Sequence, residues 1–536
     1  MDIAISLIGG LGLFLYGMNL MGEGLQKSAG SRLKKIIELL TSNILMGVLV
    51  GTVVTAIIQS SSATTVMVVG FVNAGIMSLG QAIGVIMGAN IGTTVTAQLV
   101  SFNLEGLAPV ALGIGIVFYL FSSKQKTKHL AEILIGFGIL FTGMEFMKDA
   151  VKPLAELPDF KNALLYFGTH PILGILAGFL ITGIVQSSSA SMGMLIALAS
   201  EGLLPLSSAL PILYGDNIGT CVTSLLSSIG ASINARRAAV MHLSFNVMGT
   251  IIFMLILNRP IMAIVSYLDP ANTARQIANA HTLFNLLNVI ILLPFSKYIV
   301  KLATKLIPER DSYTEAETTT KYLDERILET PSIALGNTIK EILRMGRKAT
   351  LSLEHSIKGF MDKSNKDVSK TFEYEEVVNN LQKDLLNYLL MLSKSPLSED
   401  ERYQTDLLFH TVNDIERISD HADNIAELAN DVIELDVNFS ETAFNEMETI
   451  YSKTLSNFEN ALKVLKYKDV ELAKNILEVE KEVNHLEKSF RKTHMDRLNN
   501  GKCTIDAGIL YLDLLTNLER ISDHSVNIAQ RLLKST

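Results

Sequence analysis

Two short polar stretches carry the chemistry this chain has to offer. The run Q-S-S-S-A stands at 59–63 and again at 186–190, inside two of the most apolar regions of the sequence. Lipid gives hydroxyls and amides no partner, so such residues need a reason to be there. If a short helix starts at each run, its first backbone N–H groups lack intrahelical acceptors and carry the positive end of the helix dipole. With the hydroxyls of Ser60, Ser61, Ser62, Thr64 and Thr65 they form an anion cradle. Ser187, Ser188, Ser189 and Ser191 repeat it. Gln59 and Gln186, with Thr55 and Thr182 one turn earlier, offer oxygens that suit a hard cation.

A second motif is doubled as well: G-A-N-I-G-T-T at 88–94 and G-D-N-I-G-T-C at 215–221. Asn90, Thr93, Asn217 and Thr220, with Thr94 and the carboxylate of Asp216, extend the cation-suited set. The flanking glycines predict helix interruptions whose freed carbonyls would serve the same purpose. No Arg or Lys stands at either Q-S-S-S run. The spacing therefore describes a small oxyanion held by neutral donors, with a cation supplying the compensating charge. Small residues in membrane helices also serve packing, and Gly47/Gly51 and Gly174/Gly178 read that way. His242 and His281, in H-L-S-F-N and H-T-L-F-N, fit either a tie between helices or an ion ligand.

The elements that position these residues follow from the wider pattern. Of 536 residues, 48% are hydrophobic and 19% charged, and the charges are sparse up to about residue 305 and dense beyond it. A membrane domain followed by a soluble one is the reading. The net charge of −8 gives no reason to expect nucleic acid. Two cysteines, Cys221 and Cys503, form no C-x-x-C pair, so neither a disulfide framework nor a thiolate zinc site is indicated. The N-terminal apolar run lacks a basic leader and reads as a retained membrane helix.

The membrane half is an internal duplication. Residues 10–21 resemble 136–147, residues 47–63 resemble 174–190, and 88–94 resemble 215–221, in order and at a nearly constant offset. Residues 44–58 make only about 22 Å of helix, short of a hydrocarbon core of about 30 Å. The 63–73 stretch is shorter still. The pair predicts a re-entrant hairpin with its polar tip in the membrane. Spans over 3–21, 76–100 (interrupted at Asn90) and 107–121 give each copy three crossings plus a hairpin. An odd number of crossings inverts the second copy.

The basic residues agree with an N-terminus outside. Lys27, Arg32, Lys34, Lys35, Lys124, Lys126, Lys128, Arg236, Arg237, Lys297, Lys301 and Lys305 then face inward, against Lys148, Lys152, Lys161, Arg259 and Arg275 outward. The expected fold is all-α: a polytopic membrane domain of two inverted-topology repeats with re-entrant helical hairpins, then a soluble six-helix bundle. The boundaries are a transport domain at 1–305 (repeats at about 1–126 and 127–258, a last membrane helix at about 283–304), a linker at 306–332 and a cytoplasmic domain at 333–536. The linker is polar and without periodicity.

The soluble part is doubled too. E-R-I-S-D-H-A-D-N-I-A-E at 416–427 is echoed by E-R-I-S-D-H-S-V-N-I-A-Q at 519–530. The Glu and Asp four apart share a helix face, which makes either a divalent-metal clamp or a solvated acidic stripe.

At these motifs the chain resembles two known families. Paired Q-S-S-S hairpins with N-I-G-T motifs downstream look like the type II sodium-dependent phosphate cotransporters, over about residues 1–305. That resemblance implies inorganic phosphate between the two tips, at Ser60–Ser62, Thr64, Ser187–Ser189 and Ser191, and sodium as coupling ion. Sodium would then lie at Gln59, Thr55, Asn90, Thr93, Gln186, Thr182, Asn217 and Thr220. Residues from about 335 to 534 resemble the PhoU family of phosphate-signalling proteins, some of which bind metal through E-x-x-x-D pairs. Glu416/Asp420 and Glu519/Asp523 match that pattern, whereas Glu375 and Glu480 are followed by Asn379 and Asn484.

The implied protein is a sodium-coupled phosphate symporter of the plasma membrane with a cytoplasmic regulatory domain, which leaves room for a homodimer or a signalling partner. The alternatives are a transporter of another anion, a phosphate exporter, or a membrane sensor that binds without transporting. Nothing in the sequence has the spacing of a nucleophile–base pair, a P-loop or a metallohydrolase.

Overall fold

A computed structural model describes residues 2–29, 43–102, 104–308 and 320–533. Arg32, Lys34 and Lys35 of the charge count, and part of the 306–332 linker, lie outside the described residues. The described residues are overwhelmingly helical, with no strand among them. They divide into two compact units, Met1–Asp311 with Asp324–Ser332, and Ser312–Leu323 with Ile333–Thr536.

In the first unit α1 (Asp2–Ala29) is followed by the hairpin α2 (Ile44–Ile58) and α3 (Ser61–Asn73). Then come α4 (Leu79–Ser101), α5 (Ala108–Phe121) and α6 (Gln125–Val151). The second copy continues through α7 (Pro158–Thr169), α8 (Pro171–Val185), α9 (Ser188–Ser200), α10 (Leu206–Gly219) and α11 (Cys221–Ser227). The unit closes with α12 (Ile233–Ile252), α13 (Asn258–Leu268), α14 (Thr273–Leu292) and α15 (Ser296–Leu306). The last of the apolar stretches is longer than the 283–304 the sequence suggests. Its helix begins at Thr273, where the Asn272 side chain accepts the Arg275 N–H and caps it.

The polarity of this unit is inverted relative to a water-soluble protein. Ile8, Ile172, Ile184, Leu255 and Ile256 are exposed, while Asn90, Asp216, His242, Asn246, Asn285 and Asn288 are buried. Among the described residues, five single helical stretches are long and apolar enough to cross a bilayer: Ile3–Ala29, Leu79–Ser101, Gln125–Leu154, Ile233–Leu268 and Thr273–Leu306. Helix α5, by contrast, has only 14 residues, about 21 Å, and falls short of the span expected at 107–121.

Glycines set how closely the copies approach. A Cβ on Gly17 would stand 2.3 Å from the Leu140 nitrogen, and one on Gly136 would stand 2.4 Å from that of Met21. Gly10 meets Gly143 in the same way. The first helices of the two copies, α1 and α6, therefore run antiparallel, sealed by the doubled glycine motif. The same device joins α2 to α4, where a Cβ on Gly51 would be 2.2 Å from the Val85 oxygen and one on Gly88 would be 2.0 Å from that of Val48.

Among its described residues the second unit holds six long helices, α16 (Pro331–Asp362), α17 (Asn365–Ser393), α18 (Glu399–Glu434), α19 (Glu441–Tyr467), α20 (Val470–Asn499) and α21 (Ile505–Leu533). The two helices bearing the doubled D-H-x-x-N-I-A run, α18 and α21, pack on each other, and Ile415, Ile418, Ile425, Leu518, Ile521 and Ile528 along them are buried. Polar caps stop and start the rest: Ser398 and Glu401 form a capping box, and Ser364, Ser440 and Asp469 accept first-turn N–H groups.

Candidate anion and cation site

Each Q-S-S-S run builds a helix-to-helix reversal. Gln59 ends α2 in the left-handed region (φ 60°), and Gln186 ends α8 likewise (φ 56°). The next serine is extended and caps the returning helix: Ser60 Oγ accepts the Ala63 N–H at 3.1 Å, and Ser187 Oγ accepts that of Ala190 at 3.2 Å. The third and fourth residues of each run, Ser61 with Ser62 and Ser188 with Ser189, then open α3 and α9. Among the described residues, their hydroxyls make no hydrogen bond within the protein. Their backbone N–H groups occupy the first turn, where no intrahelical acceptor exists.

Both tips line one cavity of about 420 Å³, closed on another side by Leu15, Tyr16, Met18 and Asn19 of α1. Gln59, Ser60–Ser62, Gln186 and Ser187–Ser189 all face it, and no lining residue is charged.

The remaining sequence candidates are placed behind the tips. Thr64 is fully buried and accepts the Thr55 hydroxyl at 2.9 Å, while its own proton goes to the Ser60 carbonyl. Gln59 Oε1 accepts the Thr96 hydroxyl at 2.7 Å. The second copy differs most at one charged position. Where the first has Ala89, the second has Asp216, buried, whose Oδ1 accepts from both Thr182 (2.9 Å) and Ser191 (2.7 Å). The hydroxyl pair of the first copy is thus wedged apart by a carboxylate in the second. Asp216 Oδ2 is buried and has no partner. Thr96 was not among the sequence candidates; it sits three residues beyond Thr93 on α4, and only the tertiary structure brings it to Gln59.

The N-I-G-T motifs are not equivalent. Helix α4 runs unbroken through Asn90, contrary to the interruption expected there. Gly88 and Gly92 serve close packing on α2, where a Cβ on Gly92 would meet Thr55 Cβ at 2.6 Å. Asn90 donates to Asn246 Oδ1 at 2.7 Å, and Thr93 is buried in the same helix. In the second copy the helix does end, at Gly219, and α11 starts after Thr220. Asn217 and Thr220 spend their side-chain donors on the carbonyls of Leu213 and Asn217. His242 Nδ1 lies 3.1 Å from Ser224 Oγ, and Asn246 donates to the His242 carbonyl and to Cys221 Sγ, so this histidine ties α11 to α12.

In the second unit, acids gather on α17–α18 and again on α20–α21. Burial raises the carboxyls of Glu375, Glu416 and Glu519 above their ordinary range, with neighbouring carboxylates adding to the effect. Asp423 is pushed up to about 6, by burial first and then by Glu375, Glu427 and Asp420. Sequence reading missed Asp423 and Glu427, although their seven- and eleven-residue spacing from Glu416 continues the same helix face. The metal candidates Glu416, Asp420, Glu519 and Asp523 lie on these two faces. Among the described residues no group of three or more His, Cys, Asp or Glu is placed to hold an ion. Arg417 and Arg520 sit beside these pairs, and the Asn379 and Asn484 amides donate to Glu375 and Glu480.

Residues 13–149 and 142–289 each match the family model described as Na+/Pi-cotransporter. The chain belongs to the Na+/Pi-cotransporter family. Residues 342–429 and 447–532 match the PhoU domain, so the second unit is PhoU-like. The chain is 25% identical over 535 residues, 99% of its length and 97% of the relative's, to the "Putative inorganic phosphate export protein YjbB" of Salmonella typhimurium. It is 34% identical over 156 residues, 27% of this chain and 23% of the relative, to the sodium-dependent phosphate transport protein 2A of Rattus norvegicus. A solved crystal structure of PhoU from Pseudomonas aeruginosa covers 38% of this chain and 96% of its own, with 20% identity and a TM-score of 0.36. Family and span composition make this a multi-pass membrane protein of a phosphate-transporter family, with a PhoU-like domain at its C-terminal end.

Proposed function

We propose that this Na+/Pi-cotransporter family member is a sodium-coupled secondary transporter of inorganic phosphate, working by alternating access around the cavity between the two Q-S-S-S tips. The carrying observation is that both helix starts, with unengaged Ser61, Ser62, Ser188 and Ser189 hydroxyls, line one uncharged cavity. Such a site offers a multiply charged oxyanion many donors and no compensating charge. In a membrane interior that imbalance is costly unless cations bind with it. Asp216 is the natural second half of the account. Its carboxylate sits one helical turn behind the second tip, anchored by Thr182 and Ser191, with one oxygen left over for a cation. Antiparallel packing of α1 on α6 supports inverted copies, and the basic residues support a cytoplasmic PhoU-like unit.

Titration of phosphate into the detergent-solubilised protein, in sodium and then in choline, tests the coupling. Binding is expected in sodium and at least tenfold weaker in choline, and Asp216→Asn should shift the sodium dependence to higher concentration. Equal affinity in both salts would remove the coupling.

Net export is the second reading, favoured by full-length similarity to a relative named for phosphate export. A coupled carrier runs in whichever direction the summed gradients drive it. Export then needs an outward sodium or phosphate gradient and no change of site.

A further inference from the structure

The segment that the sequence presents as a plain linker is packed like part of a core. Asp324–Ser332 clusters with the membrane unit, whereas residues on both sides of it belong to the PhoU-like unit. A short 3₁₀ turn, Glu325–Glu329, drives fully buried Ile327 against α3. A Cβ on Gly70 would stand 2.9 Å from Ile327 Cγ1, so glycine at 70 is what lets the turn settle there. Asp324 caps the turn by accepting the Arg326 N–H at 2.9 Å. Its Oδ2 accepts from the Asn73 amide and the Arg326 guanidinium, both at 2.8 Å. Thr330 Oγ1 lies 3.2 Å from Met67 Sδ on the same face of α3.

Asn73 is the junction of three parts. It is the last residue of the first hairpin's returning helix, it binds Asp324, and its Oδ1 accepts the backbone N–H of Ser232 at 2.8 Å. Ser232 caps α12 in the second copy. The equivalent position on the second hairpin is Ser200, whose hydroxyl returns to Ile196 of its own helix at 2.8 Å. One hairpin is tied and its counterpart is built differently.

The ends of the segment are fixed in the PhoU-like unit. Fully buried Glu341 accepts the backbone N–H groups of Lys321 (3.0 Å) and Tyr322 (2.6 Å). At the other end the chain passes straight from Thr330 into Pro331–Asp362, the helix that carries Glu341.

We propose that residues 324–332 are a strap through which the PhoU-like unit restrains the first Q-S-S-S hairpin, an inference that rests on the transport reading above. A hairpin that shifts relative to the second copy must break the Asn73–Ser232 and Asn73–Asp324 bonds and lift Ile327 off Gly70. Bonds present in one arrangement and absent in the other favour the first, so the seated strap slows the cycle. Displacement of α16 pulls on both ends of the strap at once and releases the hairpin. The control is therefore local to one helix of the PhoU-like unit.

The full-length protein in proteoliposomes provides the test. Asp324→Asn and Ile327→Ala are expected to raise phosphate flux threefold to tenfold at a fixed gradient, and to speed hydrogen exchange in 61–73. An Asn73→Cys/Asp324→Cys pair in a Cys503→Ser background, joined by a short bifunctional thiol reagent, is expected to stop flux until the linker is reduced. This second variant keeps the strap seated and so guards against mere misfolding of the first. Equal flux in released, crosslinked and wild-type proteins, where the wild type transports, overturns the strap and leaves transport standing. A wild type with no flux under any gradient overturns transport instead. Hydrogen exchange then decides the strap, and unchanged exchange between released and crosslinked forms removes it too.

Discussion

Four serines and one aspartate bear most of the functional argument at the residue scale. Ser61, Ser62, Ser188 and Ser189 line the same cavity, and in the proposed mechanism removal of one hydroxyl takes one charge-assisted bond from the anion. Such bonds contribute about 1.5–3 kcal/mol, and Ser188→Ala should weaken phosphate binding roughly 10- to 100-fold by calorimetry, with secondary structure unchanged. An unchanged affinity would return these serines to a packing role. Asp423 in the PhoU-like unit makes a separate prediction about pH. Its folded pKa is raised to about 6, so the folded state holds this proton more tightly than the unfolded chain does. Its contribution is fully present below the ordinary aspartate range and is lost as pH rises through 6. Asp423→Asn should therefore stabilise that unit's thermal transition at pH 8 and not at pH 4. After discounting for solvent access the gain is about 1 kcal/mol, or roughly 2–4 °C. An equal shift at both pH values would contradict it.

Helices and their reversals explain why some of this was legible and some was not. The duplication could be read from three ordered matches, two of which serve the same purpose in both copies: glycine seams in α1 and α6, and reversals at Gln59 and Gln186. The N-I-G-T interruption could not be read. The same glycines permit an unwound helix and a close helix contact, and only the packing of Gly88 and Gly92 on α2 separates the two. Asp216 was visible as a carboxylate, but its bonds to Thr182 and Ser191 join three different helices. Ile327 was hidden because one apolar residue in a polar stretch has no periodicity to betray its burial. The glycine seams carry their own test. In Gly51→Val the added Cβ meets the Val85 oxygen at 2.2 Å, so α2 and α4 must separate. Overpacking of this kind costs about 1–3 kcal/mol or more, and the thermal midpoint of the solubilised protein should fall measurably. An unchanged midpoint would mean the seam opens freely.

The whole molecule couples a membrane unit, apolar outside and polar within, to a helical unit of ordinary water-facing construction. Both halves are products of duplication, and in both the doubled motifs face each other. The Q-S-S-S tips share a cavity, and the D-H-x-x-N histidines, His421 and His524, stand with rings 5.8 Å apart. Asymmetry enters at Asp216, which stands where the first copy has Ala89, and at Asn73, which bonds Asp324 and Ser232 where its counterpart Ser200 bonds back to its own helix.

The most direct measurement is radiolabelled phosphate flux in proteoliposomes under an imposed sodium gradient, with wild type beside Ser61→Ala and Ser188→Ala. Sodium-driven flux in the wild type, lost in either variant and reversed when the gradient is reversed, is the predicted result. Phosphate flux that ignores sodium, or that survives both serine substitutions, would contradict the account.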